Sequence, residues 1–246
     1  METTWSSDLT NRIAVITGGS RGIGFAAASK LASLGAQVVL VSKSQQSVDS
    51  AVNSLTGMGF RASGFAVDLA DSDSAAETFN QNQLALNADI LINSAGVMSE
   101  RTAKTLRTSA TEWKRVLGAN LDGTFNTISV IGPQMVTRRS GRIINVSACL
   151  GRFSGPGLAG GLAPYRISKS AVNALTKNLA TELGQGRRGI LVDAMCPNHS
   201  RTDMGGPDAP RSAEEGAETI VWLATRNHDE QTQTGLLWED QQIVPW

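Results

Sequence analysis

The chain has 246 residues, 41% hydrophobic and 18% charged, a balance that suits a globular fold with a sizeable buried core. Its 22 basic residues are matched by 22 acidic ones, so charge gives no case for nucleic acid or an anionic membrane as a partner. Two cysteines, Cys149 and Cys196, and two histidines, His199 and His228, are too few for a disulfide framework or a zinc site, and no metal is expected. The polar stretch 1–11 lacks a basic-then-apolar signal pattern and no apolar run approaches a membrane span, so a cytoplasmic protein is expected.

In chain order, residues 12–17 form a short apolar run that reads as a buried strand. Glycines follow at once. Residues 25–34, rich in Ala and Leu, then predict a helix ended by Gly35. A second buried strand at 37–42 completes a βαβ unit. Beyond it come a helix at 47–58, a strand at 62–67 and a helix at 72–86. A strand at 89–93 precedes one long helix at 111–136. A fifth strand at 141–147, a helix at 165–183, a sixth strand at 190–196, a helix at 214–224 and a short strand at 236–238 complete the series. This alternation predicts an α/β fold, a doubly wound parallel sheet (Rossmann-like), as a single dinucleotide-binding and catalytic domain over 1–246. Two long glycine-containing loops, 151–164 and 198–212, each follow the carboxyl end of a strand, where ligands bind in such sheets.

The turn after the first strand carries Gly18, Ser20, Arg21, Gly22, Ile23 and Gly24. Glycines there let backbone approach a phosphate, and a helix N-terminus favours its charge. An NAD-selective site usually has an acid at the end of the second strand; Ser42 and Lys43 stand there instead. Lys43 and Arg21 suit a ribose 2′-phosphate, which predicts NADP(H) over NAD(H). The one tyrosine, Tyr165, lies four residues before Lys169. On a helix these share a face. An ammonium there would lower the phenol's pKa and fit it for proton transfer near neutrality. A half-buried tyrosine beside a solvated lysine is the plainer reading of that spacing alone.

Four motifs in order resemble those of the short-chain dehydrogenase/reductase family, over about residues 11–202. They are the turn 17–24, the stretch Asn93-Ser94-Ala95-Gly96, the mid-helix Asn120, and the pair Tyr165 and Lys169. The tail resembles the carbonyl-reductase-like branch. The resemblance implies that Tyr165 exchanges a proton with the substrate oxygen, that Lys169 holds the nicotinamide ribose and lowers the pKa of Tyr165, and that Asn120 fixes a water leading to Lys169. It also implies that Asp68 and Leu69 meet the adenine, that Asn93, Ala95 and Gly96 line the cofactor cleft, and that Pro197 and Thr202 flank the nicotinamide. A small-molecule carbonyl or alcohol substrate and a homodimer or homotetramer follow by the same resemblance.

The match has gaps. Aligned without insertion, the family's catalytic serine falls on Ala148. Ser147 is the nearest hydroxyl, but strand alternation turns it the other way. Either a bulge brings Ser147 into the site, which we favour, or the site lacks that hydroxyl. Asn198 replaces the usual glycine after Pro197 and tolerates a left-handed turn. His199 is either a substrate partner or an ordinary loop residue. Met98, Phe153, Leu158, Leu162 and Met204 are candidates for an apolar substrate wall. Cys149 is expected to be a buried, inert thiol. The expected activity is an NADPH-dependent carbonyl reduction. A non-redox enzyme or a weakly active NADPH-binding protein on the same scaffold are the rivals.

Overall fold

A computed structural model describes residues 7–100, 103–228 and 232–246. The first six residues of the polar N-terminal stretch lie outside the described residues.

The strands are β1 Ile13–Thr17, β2 Gln37–Ser42, β3 Ala62–Ala66, β4 Ile90–Asn93, β5 Gly141–Val146, β6 Ile190–Cys196, β7 Leu237–Glu239 and β8 Gln242–Val244. They form one sheet in the order β3-β2-β1-β4-β5-β6-β7-β8. Every pairing is parallel except β7 with β8. The inner strands are apolar on both faces, as a doubly covered sheet requires. In β1, Ala14 and Ile16 join one core cluster and Val15 the other; β2 splits its residues the same way.

The helices are α1 Gly22–Ser33, α2 Gln45–Gly57, α3 Ser72–Asn80, α4 Gln83–Leu86, α5 Ala110–Leu117, α6 Gly123–Arg138, α7 Ala163–Glu182 and α8 Ala213–Thr225. Residues of α1, α2 and α8 pack in the first cluster. Residues of α3, α4, α6 and α7 pack in the second. Strand order reverses between β1 and β4, so a crevice opens at their carboxyl ends.

Two predicted helices are broken. The expected 72–86 helix divides because Asn82 leaves helical geometry and its side chain accepts from Ala85 N, starting α4 afresh. The expected 111–136 helix contains a π-helical turn at Gly118–Asp122, which separates α5 from α6. Wider turns of this kind gather at functional sites. Here the turn carries Asn120, which is fully buried. The C-terminal end closes the core rather than standing free. Trp238 of β7 meets Trp222 of α8 edge-on, with ring centroids 4.9 Å apart, and Arg226 lies over both rings.

Candidate active site

A cleft of about 700 Å³ runs along the carboxyl ends of the strands. One end is built by the turn from β1 into α1. Gly18 has φ +64°, and a side chain there would strike the Ala95 backbone at 2.9 Å. A Cβ at Gly24 would lie 2.4 Å from the Gly18 carbonyl oxygen. These glycines let the turn lie flat against β4. Arg21, the residue before α1, is extended and caps nothing with its side chain, and the first turn of α1 holds no acid. The N–H groups of that turn therefore face the cleft with their positive end uncompensated. Such a cradle fits a pyrophosphate.

The rim is charged on both sides. Arg21 Nη1 donates to Asp203 at 2.6 Å and Lys43 Nζ donates to Asp68 at 2.5 Å. The hydrogen bond from Lys43 holds the Asp68 carboxyl below the usual range. Ser20 Oγ donates to Ser42 Oγ at 3.2 Å between the two cations. Ile23, Leu69, Ala95, Gly96, Pro197 and Thr202, all among the expected cofactor contacts, line the same cleft. Asp203 was not among the expected site residues. Its loop position was a clue, but its pairing with Arg21, 182 residues away, left no local signal.

Asn93 is corrected. Its side chain is buried and points into a network rather than the cleft. Asn93 Nδ2 donates to Asn145 at 2.9 Å and Thr127 Oγ1 donates to Asn93 Oδ1 at 2.6 Å. Asn145 in turn donates to Thr176. The network ties β4 and β5 to α6 and α7, and so braces the floor of the site.

Tyr165 and Lys169 sit together on α7, 6% and 5% exposed. The ammonium lies 6.0 Å from the tyrosine ring centroid and donates to Val146 O at 2.7 Å. Burial brings the Lys169 ammonium down to about 8. Burial also pushes the Tyr165 phenol above its ordinary value. The expected lowering of that phenol by its lysine is therefore not what this chain's own groups produce. Desolvation of the phenol is the larger effect.

Asn120 joins the pair through Gly96. Asn120 Oδ1 accepts from Val97 N at 2.7 Å, and Nδ2 donates to Val97 O and to Ser168 Oγ. A Cβ at Gly96 would stand 3.1 Å from Asn120 Oδ1 and 3.6 Å from Lys169 Nζ. The glycine thus leaves room for these groups to face one another.

Ser147 lines the same cleft as Tyr165 and Lys169, but its hydroxyl is engaged elsewhere. Its hydroxyl donates to Asn173 Oδ1 at 2.5 Å, with Lys169 O at 3.4 Å. No bulge intervenes, since Ser147 N still donates to Met195 O in the ladder and Ala148 remains extended. The Ala148 methyl packs with Tyr165 and Val116, flanked by Val97, Met98, Leu150 and Leu162. Met98 and Leu162, two of the candidates for an apolar wall, pack there, and Met204 lines the cleft. Phe153 and Leu158 stand 79% and 76% exposed instead. Asn198 adopts φ 56° and keeps the turn. His199 is tied to the carbonyl of Gly205 at 2.8 Å, within its own loop. Among the described residues no cluster of His, Cys, Asp or Glu could hold a metal, and no helix is long and apolar enough to cross a membrane.

A family profile described as short chain dehydrogenase matches residues 12–230. The chain is 32% identical over 197 residues to gluconate 5-dehydrogenase of Gluconobacter oxydans, covering 80% of this chain and 74% of that protein. It is 34% identical over 197 residues to the 3-oxoacyl-[acyl-carrier-protein] reductase FabG of Staphylococcus epidermidis, covering 79% and 77%. A 3-oxoacyl-[acyl-carrier protein] reductase from Brucella melitensis, solved with bound NAD, aligns at TM-score 0.83 and 30% identity over 96% of this chain and 92% of that one. A blue fluorescent protein from a metagenomic library, solved with NADPH, aligns at 0.81 and 28% over 95% and 97%.

Proposed function

The chain belongs to the short-chain dehydrogenase family of oxidoreductases, and from that premise we propose that it reduces a ketone or aldehyde with NADPH, and reversibly oxidises the alcohol. One observation carries the proposal. Tyr165 and Lys169 are buried side by side against a cleft whose other end is a glycine turn at an uncapped helix N-terminus. NADPH, when bound, supplies the hydride. Tyr165 gives its proton to the carbonyl oxygen and recovers it in the reverse direction. Lys169 holds the nicotinamide ribose, and its charge offsets the phenolate as it forms. Asn120 keeps the 96–97 backbone and α7 in register, so the route from Tyr165 to Lys169 stays aligned.

Preference for NADPH rests on Arg21 and Lys43 at the rim, and on Ser42 at the end of β2 where an acid would select NADH. Asp68 and Leu69 meet the adenine. The substrate is a small-to-medium, largely apolar carbonyl compound, because Val97, Met98, Leu150 and Leu162 surround Tyr165. We take residues 1–246 as one domain of a cytoplasmic protein of the carbonyl-reductase-like branch. A homodimer or homotetramer is supported by Phe125 of α6 and Ile167 of α7, both large, apolar and exposed.

The test is NADPH and NADH oxidation against a panel of ketones and aldehydes. Turnover with NADPH favoured supports the proposal, and a preference for NADH removes the cofactor assignment. One observation favours a second reading. Ala148 presents a methyl beside Tyr165 where the family carries a hydroxyl. Tight NADPH binding without turnover of any carbonyl would support a weakly active binding protein.

A further inference from the structure

The loop that follows β5 turns several of its carbonyls onto α7. A backbone carbonyl withdrawn from water needs a donor, and one stripe of α7 supplies them. At about 100° per residue, Arg166, Ser170 and Asn173 fall within about 60° of one another, roughly a quarter turn from Tyr165 and Lys169. Ser170 Oγ donates to Gly151 O at 2.8 Å, and Asn173 Nδ2 donates to the same oxygen at 3.2 Å. Asn173 Oδ1 accepts from Ser147 at 2.5 Å. Arg166 Nη1 donates to three carbonyls, of Leu150 at 3.4 Å, Pro156 at 3.3 Å and Gly157 at 3.4 Å. The stripe therefore holds both the start of the loop and the point where it returns.

Two glycines make this docking possible. A Cβ at Gly151 would lie 2.7 Å from Lys169 Cβ, and a Cβ at Gly157 would strike the Arg152 carbonyl. The first glycine lets the loop lie flat on α7. The second lets it fold back, so that Pro156 and Gly157 return to the guanidinium that already holds Leu150.

Arg166 is half-buried and, among the described residues, forms no ion pair. Its charge is therefore directed at the loop carbonyls, and a charged donor holds a carbonyl more firmly than a neutral one does. The side chain of Leu150, whose carbonyl it takes, packs against the cluster of Ala148, Val116 and Tyr165. Arg166 thus reaches the candidate site through one residue of its wall.

We propose that Arg166 is a positioning residue that determines substrate size. It fixes the 150–157 turn on α7, so that Leu150 stands as a rigid wall beside Tyr165 and limits the larger substituent of the carbonyl compound. The substrate half of this inference rests on the proposed reductase activity. Arg166 touches no reacting atom and acts through Leu150. A close-packed wall discriminates by size only while it cannot retreat. Released from Arg166, the turn yields to a bulky group and no longer fits a small one closely.

The test begins with Arg166→Met, which keeps an apolar stem and removes the donors. Steady-state kinetics with NADPH uses butanone as the small probe and acetophenone as the bulky one. The kcat/KM ratio of butanone to acetophenone should fall about tenfold, chiefly through KM, a size effect that an apolar pocket commands. The pH profile of kcat should match wild type, because Tyr165 and Lys169 are untouched. All three bonds come from Nη1, while Nε is buried without a partner, so a single ammonium can replace them. Arg166→Lys should therefore restore the ratio to within about threefold of wild type. The amides of Gly151, Arg152 and Gly157 are bonded within the turn, and hydrogen exchange there should quicken about tenfold in Arg166→Met.

An unchanged substrate ratio would overturn the proposal, as would a ratio that Arg166→Lys fails to restore, or unchanged exchange. If Arg166→Met does not fold, Ser170→Ala removes one bond to Gly151 and carries both readouts. If wild type reduces no carbonyl, the reductase reading is at fault and the substrate half falls with it. Exchange then decides the clamp alone: faster exchange upholds it, and unchanged exchange ends it.

Discussion

In the proposed reduction Tyr165 stays protonated until a carbonyl reaches it, and its burial favours that form. Removing the hydroxyl in Tyr165→Phe leaves the ring packing intact. It should cut kcat by roughly 10²–10⁴, the range that general acids supply, while NADPH titrates as before. Steady-state kinetics beside a fluorescence titration separates the two, and retained kcat removes Tyr165 from the chemistry. Lys169 leaves a second signature. Its ammonium falls to about 8 in the folded chain, against an ordinary 10.5. Between those values the unfolded chain holds a proton that the folded chain has released, so stability rises with pH. The cost of burying the charge is fully present below about pH 8 and relieved as pH climbs toward 10.5. Its size is on the order of 3 kcal/mol. In urea titrations, Lys169→Met should therefore be favoured over wild type at pH 7, and the gap should close by pH 10. The hydroxyl question is settled by a pair of variants. Ala148→Ser should raise kcat by roughly tenfold or more, because it adds a donor where negative charge develops. Ser147→Ala should barely change kcat yet cost about 1–3 kcal/mol, since Asn173 loses a buried partner. The opposite outcome would return the catalytic role to Ser147. That Tyr165 and Lys169 share one face of α7 was legible because a spacing of four is local to a helix; that Lys169 is buried rather than solvated was not. The engagement of Ser147 was not, since Asn173 lies 26 residues on and no pattern marks it.

At the scale of elements, the inner strands could be read because a parallel strand buried on both faces is a continuous apolar run. Strand β8 could not. It has three residues, pairs only at the sheet edge, and is largely exposed, so little in its composition separates it from a loop. The π-helical turn was hidden for another reason. Its residues suit an ordinary helix, and what widens the turn is a tertiary demand. Asn120 satisfies both backbone groups of Val97 while donating to Ser168. A carboxylate can accept from Val97 N but cannot donate to Val97 O or to Ser168. Asn120→Asp should therefore destabilise the chain by about 2–4 kcal/mol, through two unmet acceptors and a buried charge. Chemical denaturation measures it. A cost below about 1 kcal/mol would mean that the turn does not depend on this side chain. The same variant should lower kcat, because Gly96 and Lys169 share the space that Asn120 fixes.

Across the whole molecule, formal charge cancels, so long-range attraction cannot select the cofactor and selection must come from the rim of the cleft. There, Arg21 and Lys43 are already paired, to Asp203 and Asp68. Whether a 2′-phosphate can take them is a matter of magnitude. Both pairs lie largely in solvent, where such contacts are worth about 0–1 kcal/mol. Hydrogen bonds to a charged phosphate are worth about 1.5–3 kcal/mol. The phosphate should therefore displace at least one carboxylate. Lys43→Ala should then weaken NADPH by about tenfold, near 1.4 kcal/mol, and leave NADH unchanged. Asp68→Asn frees the cation from its competitor and should tighten NADPH instead. Calorimetric titration with both cofactors, repeated at low and high salt, checks each part. The NADPH advantage should shrink as salt rises, because the contacts are exposed and screened. If Lys43→Ala weakens both cofactors equally, the lysine holds the adenosine rather than the phosphate. Selectivity would then have to rest on Arg21 alone.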